Sequence, residues 1–307
     1  MTVTVLMSTY NGEKYLREQL ESILSQKLPA DFSLKIIVRD DGSSDGTLSI
    51  LEEYKTAHGE IFSYYTGENL RPEKSFWHLT AHCPKSDYYA YSDQDDYWYE
   101  DKLFRALERL TVEPDKDIPL LYSSNVMVAD AELNPVSKMD ARPRYTDFAR
   151  VLIYNVSTGC TVVYNDPAHD EFIKYDMNKN LTIMHDRIAD LICSMFGKVI
   201  YDFEPSMLYR QHGNNVCGEQ TLGIRSFFAR VKRFLGGSNS IRSNRARMLY
   251  SLYADRLDDE KKNLLYALGN YKKDKRAKRE LLKNKAFRSD VRSDNFFFKW
   301  LVRLKKL

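Results

Sequence analysis

The sequence predicts an α/β fold in which strands and helices alternate around one sheet, followed by a basic helical region. Three observations predict it. Apolar, strand-like runs cover residues 2–7, 34–38 and 88–91, with amphipathic helical patterns between them, and each run ends in a polar loop. The charge also changes sign near Leu222, from acidic to basic. Alternation of this kind is typical of parallel strands joined by right-handed crossovers, with ligands bound at the carboxyl ends of the strands.

The composition is that of a globular protein. The 307 residues are 43% hydrophobic and 29% charged, which excludes a disordered chain. The four cysteines are widely spaced, so neither a zinc knuckle nor a redox pair is indicated. No apolar stretch approaches the roughly 18 residues of a membrane-spanning helix and no signal peptide precedes the first strand, so we expect a cytoplasmic location. The 21 tyrosines suit a polyhydroxylated ligand.

The net charge of +3 hides an asymmetry between two parts of the chain. Residues 225–307 carry 24 Lys and Arg against 8 Asp and Glu, whereas residues 1–224 carry 22 and 35. We therefore predict a ligand-binding domain over residues 1–221 and a separate basic helical region over residues 222–307. So basic a region also admits a nucleic-acid-binding role, although its charges accompany aromatic helical faces and match no nucleic-acid module.

The first half of the chain alternates strands with helices. We predict strands at 2–7, 34–38, 62–65 and 88–91 from their apolar and β-branched residues. Helices are expected from Tyr15 to about Pro29, across 48–54 and from Ser75 onward, because apolar residues recur there at helical spacing. Ser44 or Asp45 can cap the second of these helices.

Five residues, Ser92-Asp93-Gln94-Asp95-Asp96, organise this half of the chain. Three carboxylates in four residues repel one another unless water, a cation or hydrogen-bond donors neutralise them. One interpretation is a solvated acidic turn. The other is a site for a hard divalent cation beside a diphosphate. The turn follows a predicted strand and so reaches the edge where loops 8–12 and 39–46 also end, which favours the second interpretation.

The second half is less regular. We predict a helix over 98–110, strands over 120–123 and 126–128, a hairpin turn at 130–134 and a mobile loop over 138–148. A strand over 156–164 contains Gly159, and a glycine there often marks close approach of backbone or ligand. A helix follows Asp186, which can cap it. A strand over 199–201 and a polar loop over 209–216 come next.

The basic region reads as helices over 222–235, 241–254, 258–270 and 273–286, before a terminal amphipathic helix. One face of the terminal helix combines Phe296, Phe297, Trp300, Leu301 and Leu304. Basic residues lie largely opposite, which is typical of a helix that lies in an anionic membrane surface. The alternatives are an interface between copies of the chain, and packing of this helix on its own domain.

Several segments resemble the family 2 glycosyltransferases, which have the GT-A fold, a Rossmann-like mixed sheet flanked by helices. They are Val5-Leu6-Met7-Ser8-Thr9-Tyr10-Asn11-Gly12, Asp40-Asp41-Gly42-Ser43, Ser92-Asp93-Gln94-Asp95-Asp96-Tyr97-Trp98, His185-Asp186 and Tyr209-Arg210-Gln211-His212-Gly213-Asn214-Asn215. The resemblance covers about residues 1–220 and is greatest to bacterial rhamnosyltransferases of rhamnan and capsular polysaccharide synthesis. In one departure, Asn69-Leu70-Arg71 stands where relatives tend to carry Asn-x-Gly.

The resemblance implies a nucleotide site in the half that covers residues 1–110. Asp41, or Asp40 in its place, would accept the pyrimidine N3–H, and Asp93 would hold the ribose. Arg71 or Lys74 would meet the nucleotide or its diphosphate. The residues that would line the base follow the first strand: Thr9, Tyr10 and Asn11.

The resemblance further implies Mg²⁺ or Mn²⁺ on Asp95 and His212, and Asp186 as the general base. His185 would orient the acceptor or tune Asp186. The other residues assigned to the sugar or the acceptor are Asp96, Trp98, Gly159, Cys160, Arg210 and Gln211. The half that covers residues 111–221 would receive the acceptor.

The implied reaction is an inverting transfer from a nucleotide-diphospho-sugar to an acceptor hydroxyl. The expected donor is dTDP-L-rhamnose and the expected acceptor a lipid-linked polysaccharide precursor. UDP-galactose, UDP-glucose and UDP-N-acetylglucosamine are the alternative donors, because sequence hardly separates a thymine site from a uracil site. The terminal helix would hold the enzyme on the inner face of the plasma membrane, or would join two copies of the chain.

Overall fold

The computed structural model describes residues 1–211 and 241–307. The described residues form two compact units. The first contains residues 1–146 and 156–211, and the second contains residues 147–155 and 241–307. The predicted boundary at 221/222 lies outside the described residues.

The first unit is built on one mixed sheet. Its strands are β1 (Thr2–Thr9), β2 (Ser33–Asp40), β3 (Phe62–Thr66), β4 (Tyr88–Ser92), β5 (Tyr97–Trp98), β6 (Leu120–Ala129), β7 (Pro135–Lys138), β8 (Val163–Asn165) and β9 (Lys198–Arg210). In the described residues the strand order is β3-β2-β1-β4-β8-β6-β9-β5, and β7 pairs with the outer part of β6. The first four strands are parallel, and the direction reverses at β8. The predicted α/β class with a mixed sheet is confirmed.

Helices cover the sheet of the first unit and make up most of the second. They are α1 (Leu16–Leu24), α2 (Thr47–His58), α3 (Arg71–His82), α4 (Lys102–Thr111), α5 (Phe148–Val151), α6 (Asp166–Phe172), α7 (His185–Phe196), α8 (Ile241–Tyr253), α9 (Asp259–Asn270), α10 (Lys275–Lys283) and α11 (Arg292–Arg303). Several begin at polar caps: Asn165 accepts from the Ala168 amide before α6, and Asp258 accepts from the Lys261 amide before α9.

The core of the first unit lies between the sheet and its helices. Val3, Val5 and Val38 of the central strands are fully buried, as are Leu16 and Leu20 on the apolar stripe of α1. Burial of this kind, at about 25 cal/mol per Å² of apolar surface, is the main force that holds the strand ends in place.

Some predicted boundaries are wrong, for reasons of tertiary pairing. The helix predicted from Trp98 begins at Lys102, because Tyr97 and Trp98 pair with β9. Of the strand predicted over 156–164, only Val163 and Tyr164 belong to a strand, which continues to Asn165. Gly159–Thr161 form a 3₁₀ turn instead.

Strand β9 is longer than predicted, because it pairs with β6 along most of its length. It includes Tyr209 and Arg210, which the sequence placed in a loop. The pairing is irregular: Ser124 faces Asp202, but Asn125 faces Pro205. Two residues of β9 between Asp202 and Pro205 are thus extra, and a third is extra before Met127 faces Leu208. These irregularities together set the side-chain alternation of the strand end.

The terminal helix α11 packs through a face that overlaps the predicted apolar face at Leu301. Phe298, Leu301 and Val302 are buried in the second unit. Phe296 is 71% exposed and Leu304, just after the helix, is 46% exposed. Of the helices that the structure describes, none combines the length and the hydropathy needed to cross a membrane.

Candidate active site

The carboxyl ends of β1, β2 and β4 meet at one edge of the sheet. Thr9 at the end of β1 lies beside Asp40 at the end of β2, and Met7 lies beside Ser92 at the end of β4. The loops that follow these strands therefore start side by side. The predicted convergence of the three polar loops is confirmed.

Gln94, in the middle of the acidic turn, ties that turn to the end of β1. Its side-chain oxygen accepts from the Thr9 hydroxyl at 2.6 Å and from the Tyr10 amide at 2.8 Å. Its side-chain nitrogen donates to the Tyr10 carbonyl at 3.2 Å. Thr9 is buried, whereas Tyr10 is 48% exposed. Of these two predicted base-lining residues, only Tyr10 is therefore accessible to a ligand.

Asp41 is held from several sides and is 3% exposed. Its carboxylate accepts from the Ser75 hydroxyl at 2.7 Å and from the Leu70 amide at 2.9 Å. It also forms an ion pair with buried Arg39, whose guanidinium donates to the Glu68 carbonyl at 3.0 Å. This carboxylate is fixed in position, as a specific contact with a nucleobase requires.

Asp40 has a different task from Asp41. Its carboxylate accepts from the amides of Gly42 at 3.0 Å and Ser43 at 2.9 Å, and so closes the turn after β2. Asn11, at a φ of 49°, links this turn to the first loop, because its side chain accepts from the Ser44 amide at 2.9 Å. Asp40 and Asn11 therefore fix the conformation of the turn after β2 through hydrogen bonds to its backbone.

Arg71 occupies the place at which relatives tend to carry glycine. Its φ of 64° lies in the left-handed region, which glycine adopts readily and other residues adopt at a cost. The backbone shape typical of Asn-x-Gly is therefore kept, while an exposed guanidinium is added. Lys74 lies one turn further along α3 and is half-buried.

The acidic turn concentrates negative charge in a poorly solvated place. Ligand atoms of Asp93, Asp96 and Cys160 all lie within 4.8 Å of one another. Burial and the neighbouring Asp95 and Asp186 carboxylates raise the pKa of Asp93 to about 7. Burial and the same kind of repulsion raise the pKa of Asp96 well above its usual range.

The turn fits a divalent cation. Asp96 is 1% exposed, and within residues 1–211 and 241–307 its Oδ2 atom has no hydrogen-bond partner. Carboxylate oxygens are the ligands that Mg²⁺ and Mn²⁺ prefer. Of the predicted ligands, Asp95 belongs to this turn and is half-buried, whereas His212 lies outside the described residues.

Arg210 and Trp98 support the acidic turn from beneath. The Arg210 amide donates to Asp96 at 3.1 Å and its Nε donates to the Asp95 carbonyl at 2.8 Å. Both side chains are buried, Trp98 entirely, and the ammonium of Lys102 lies 4.5 Å from the centre of the Trp98 ring. Both side chains are thus packed inside the protein, and their assignment to the sugar or the acceptor stays a prediction.

Asp186 lies in the first turn of α7 and is half-buried. Its carboxylate accepts from the Arg187 amide at 2.6 Å. Burial and the Asp190 carboxylate raise its pKa to about 7, against the opposing effects of Arg187 and Arg144. Since its charge also acts on the pKa of Asp93, Asp186 and the acidic turn lie near one another, as a base and a donor site must.

Gly159 and His185 adjoin the same region. A Cβ atom on Gly159 would lie 2.4 Å from Nε2 of His185, so the close approach expected at this glycine is made by the imidazole. Cys160 is buried, and its carbonyl accepts from Lys102 at 2.9 Å. Gln211 is half-buried, and its amide donates to the Ala129 carbonyl at 2.9 Å.

Sequence reasoning missed residues that hold the site together. Arg39 and Ser75 fix Asp41, and the only signal was the position of Arg39 directly before the two aspartates. Asp190 follows Asp186 by one helical turn, and its carboxylate accepts from the amides of Val156 and Ser157 at 3.1 Å each. An acidic residue at that spacing inside an apolar helix was a signal that could have been used.

The fold and the site together define a class of enzyme. The family model for glycosyl transferase family 2 matches residues 4–172. The chain belongs to this family and is a glycosyltransferase.

Individual relatives agree with this assignment. The dTDP-rhamnosyl transferase RfbG of Shigella flexneri is 32% identical over 238 residues, which are 74% of this chain and 77% of that protein. The putative teichuronic acid biosynthesis glycosyltransferase TuaG of Bacillus subtilis is 32% identical over 106 residues, which are 34% of this chain and 40% of that one.

A solved structure shows the same fold. S. aureus TarS 1-349 in complex with UDP-GlcNAc superposes with a TM-score of 0.54 at 14% identity, over 99% of this chain and 91% of that one. The mixed sheet and its flanking helices are thus those of GT-A glycosyltransferases.

Proposed function

We propose that the enzyme transfers L-rhamnose from dTDP-L-rhamnose to a hydroxyl of a lipid-linked polysaccharide precursor, with inversion at the anomeric carbon. The similarity to RfbG supports the donor. The observation that carries the reaction type is the position of Asp186, a carboxylate with a pKa raised to about 7, close enough to act on the pKa of Asp93 in the acidic turn.

Different residues would contact the base, the ribose and the diphosphate of the donor. Asp41 would receive the pyrimidine N3–H, because its carboxylate is held by Ser75, Leu70 and Arg39 and keeps acceptor capacity. Asp93 would meet the ribose. Tyr10 would cover the base, and Arg71 or Lys74 would contact the diphosphate.

Asp186 would act as the general base. Its carboxylate takes the proton from the acceptor hydroxyl, the acceptor oxygen forms a bond to the anomeric carbon, and the bond from that carbon to the diphosphate breaks. The attacking oxygen and the leaving diphosphate lie on opposite faces of the sugar, so the configuration inverts. A base with a pKa near 7 can both accept and release a proton at neutral pH.

The acidic turn would hold Mg²⁺ or Mn²⁺ through Asp95, with Asp93 and Asp96 as adjacent oxygen donors. When bound, the ion neutralises negative charge on the diphosphate. His212 remains a proposed second ligand.

A donor screen tests the substrate. Purified protein with Mn²⁺ and a rhamnosyl-lipid acceptor is offered dTDP-L-rhamnose, UDP-galactose, UDP-glucose or UDP-N-acetylglucosamine, and products are identified by mass spectrometry. We expect a deoxyhexose addition from dTDP-L-rhamnose, with the inverted anomer seen by NMR. Product from a UDP-sugar alone would replace the proposed donor, and a retained anomer would exclude the one-step mechanism.

We also propose that the second unit binds the anionic inner face of the plasma membrane. Phe296 and Leu304 are exposed apolar groups at α11, and Arg292 and Arg303 beside them are exposed cations. Exposed apolar side chains next to cations suit a negatively charged lipid surface.

Vesicle binding tests this surface. The full chain should sediment with phosphatidylglycerol vesicles, less so in high salt, and weakly with phosphatidylcholine vesicles. The double variant Phe296→Ser with Leu304→Ser should lose most binding, while Val112→Ser, which changes a residue 75% exposed in the first unit, should not. Tighter binding to RNA or DNA, or dimerisation lost in the double variant, would support the alternative roles instead.

A further inference from the structure

His185 is buried beside the proposed base but is not placed to exchange protons with solvent. It begins α7, directly before Asp186, and is 4% exposed. Its ring centre lies 4.0 Å from that of Phe76 and 4.7 Å from that of Tyr91, whose ring meets it edge-on at 74°. Aromatic contacts of this kind fix the orientation of a ring.

Hydrogen bonding does not explain why this position holds a histidine. Neither Nδ1 nor Nε2 has a hydrogen-bond partner in the part of the chain that the structure describes. Each unsatisfied buried polar group costs about 1–3 kcal/mol. Burial lowers the pKa of His185 to about 3, so the ring is neutral at physiological pH.

Gly159 and His185 fit each other closely. A Cβ atom at residue 159 would lie 2.4 Å from Nε2 and 2.9 Å from Cε1 of the imidazole. Gly159 does not adopt a left-handed φ, so the need for glycine comes from space and not from backbone conformation. The glycine begins the 3₁₀ turn that carries Cys160, and the Cys160 thiol lies with Asp93 and Asp96.

We propose that His185 is a positioning residue whose neutral ring, packed between Phe76, Tyr91 and Gly159, sets the Asp186 carboxylate against the acidic turn. The proposal rests on the proposed role of Asp186 as the base. The ring joins three elements: α3 through Phe76, β4 through Tyr91 and the 3₁₀ turn through Gly159. A displaced ring would move the first turn of α7 and with it Asp186, while leaving the nucleotide contacts of Asp41 in place.

A double-mutant cycle tests the pairing of Gly159 with His185. The variants are Gly159→Ala, His185→Ala and the two combined, with His82→Ala as the matched control because His82 is an exposed histidine on α3. We expect kcat to fall about 10- to 100-fold in each single variant, as for a slightly misplaced catalytic group. The donor KM should change less than about threefold. The double variant should be no worse than His185→Ala, because without the imidazole the new methyl group meets no obstacle.

The pH profile of the same variants separates a positioning role of His185 from a direct role in proton transfer, and the split between kcat and donor KM separates it from a general loss of structure. In His185→Ala the acidic limb of the pH profile of kcat should persist, because it belongs to Asp186. Single-variant losses that multiply in the double variant, a loss carried by donor KM, or disappearance of the limb would each overturn the proposal.

Folding is followed separately, by thermal unfolding with and without dTDP. If Gly159→Ala fails to fold, the double variant should fold, and its failure to do so would contradict the pairing. His185→Leu, which keeps the side-chain volume, replaces His185→Ala if the latter is unstable. An inactive wild-type chain would refute the proposed function, whereas an active wild type with multiplicative losses would refute only the role of His185.

Discussion

Two walls of the active-site region differ in how their polar groups are neutralised. The strand-loop wall consists of the loops after β1 and β2, and its carboxylates Asp40 and Asp41 each accept several hydrogen bonds. The helix wall consists of the 3₁₀ turn Gly159–Thr161 and the first turn of α7. There the His185 ring has no hydrogen-bond partner among the described residues, and the Asp186 carboxylate accepts a hydrogen bond from the amide of Arg187.

The difference matches two kinds of task. A carboxylate that recognises a nucleobase must be held in place, and several hydrogen bonds to it achieve this. A carboxylate that takes a proton must be poised between its two states, and burial with few donors raises its pKa toward neutrality. The strand-loop wall thus holds carboxylates fixed by hydrogen bonds, and the helix wall holds a carboxyl group whose pKa lies near neutrality.

The largest expected effect tests the helix wall. Asp186→Asn should lower kcat about 100- to 10,000-fold, because the proton acceptor is removed while the side-chain shape stays. Thermal stabilisation by dTDP should be unchanged, since the nucleotide contacts lie on the other wall. A variant with full turnover would show that the base lies elsewhere.

The next effect tests the strand-loop wall. Asp41→Asn leaves Arg39 buried without its charge partner, and such losses cost about 3–5 kcal/mol of folding free energy. Urea unfolding should show the loss, together with weaker dTDP binding. Glu53→Gln, which breaks the exposed Arg17–Glu53 pair, is the control and should change stability much less. Equal effects would remove the contrast between buried and exposed charge on this unit.

The pH dependence of the two walls should also differ. With the pKa of Asp186 near 7, kcat should fall about tenfold per pH unit below that value as the base becomes protonated. Thermal stabilisation by dTDP over the same range would report instead on Asp93, whose pKa is also raised to about 7 and which is assigned to the ribose. A turnover that stays flat from pH 5 to 8 would contradict the assignment of Asp186.

The same carboxyl group affects stability with a defined sign. In the unfolded chain its pKa is about 3.9, below the folded value of about 7, so the folded state holds the proton longer. Its contribution to stability therefore decreases as pH rises from about 4 to 7, and stays constant above. Asp186→Asn should flatten this slope in urea unfolding measured across that window. Asp93, Asp96 and Asp190, whose pKa values burial also raises, would contribute to the slope that remains.

The smallest effect concerns Arg71, which begins α3 next to Leu70, a hydrogen-bond partner of Asp41 on the strand-loop wall. Arg71→Gly should be more stable than Arg71→Ala, with a free energy of unfolding higher by up to about 1 kcal/mol. The reason is that only glycine adopts a φ of 64° without steric cost. Both variants lack the guanidinium, so they should weaken donor binding equally if Arg71 contacts the diphosphate. A difference in donor affinity between the two would point to the loop shape instead.

The local pattern of apolar residues was enough to predict which strand ends meet at one edge of the sheet. The apolar runs that became β1, β2 and β4 are continuous, and parallel crossovers bring their ends together whatever the side chains do later. Boundaries failed where pairing across the sheet overrode local preference. Tyr97 and Trp98 became a strand because β9 lies beside them, and nothing within residues 98–110 signals this.

The site was predictable only in part. Periodicity places Asp186 on a helix, but its proximity to Asp93 depends on packing between elements about 90 residues apart. The resemblance supplied that pairing. The partners of Asp41 were predictable only in part. Arg39 precedes Asp41 by two residues, whereas Ser75 reaches it from α3 through a contact that no spacing in the sequence encodes.

The irregular pairing between β6 and β9 determines which side chains of β9 face the acidic turn. Three extra residues of β9, two between Asp202 and Pro205 and one between Pro205 and Leu208, decide which face of the strand carries Arg210. A change in that count by one would exchange the two faces of the strand end. Arg210 would then point away, and the carbonyl of Asp95 and the carboxylate of Asp96 would lose their donors. The geometry of the acidic turn therefore depends partly on the number of residues in the segment of β9 that precedes Arg210.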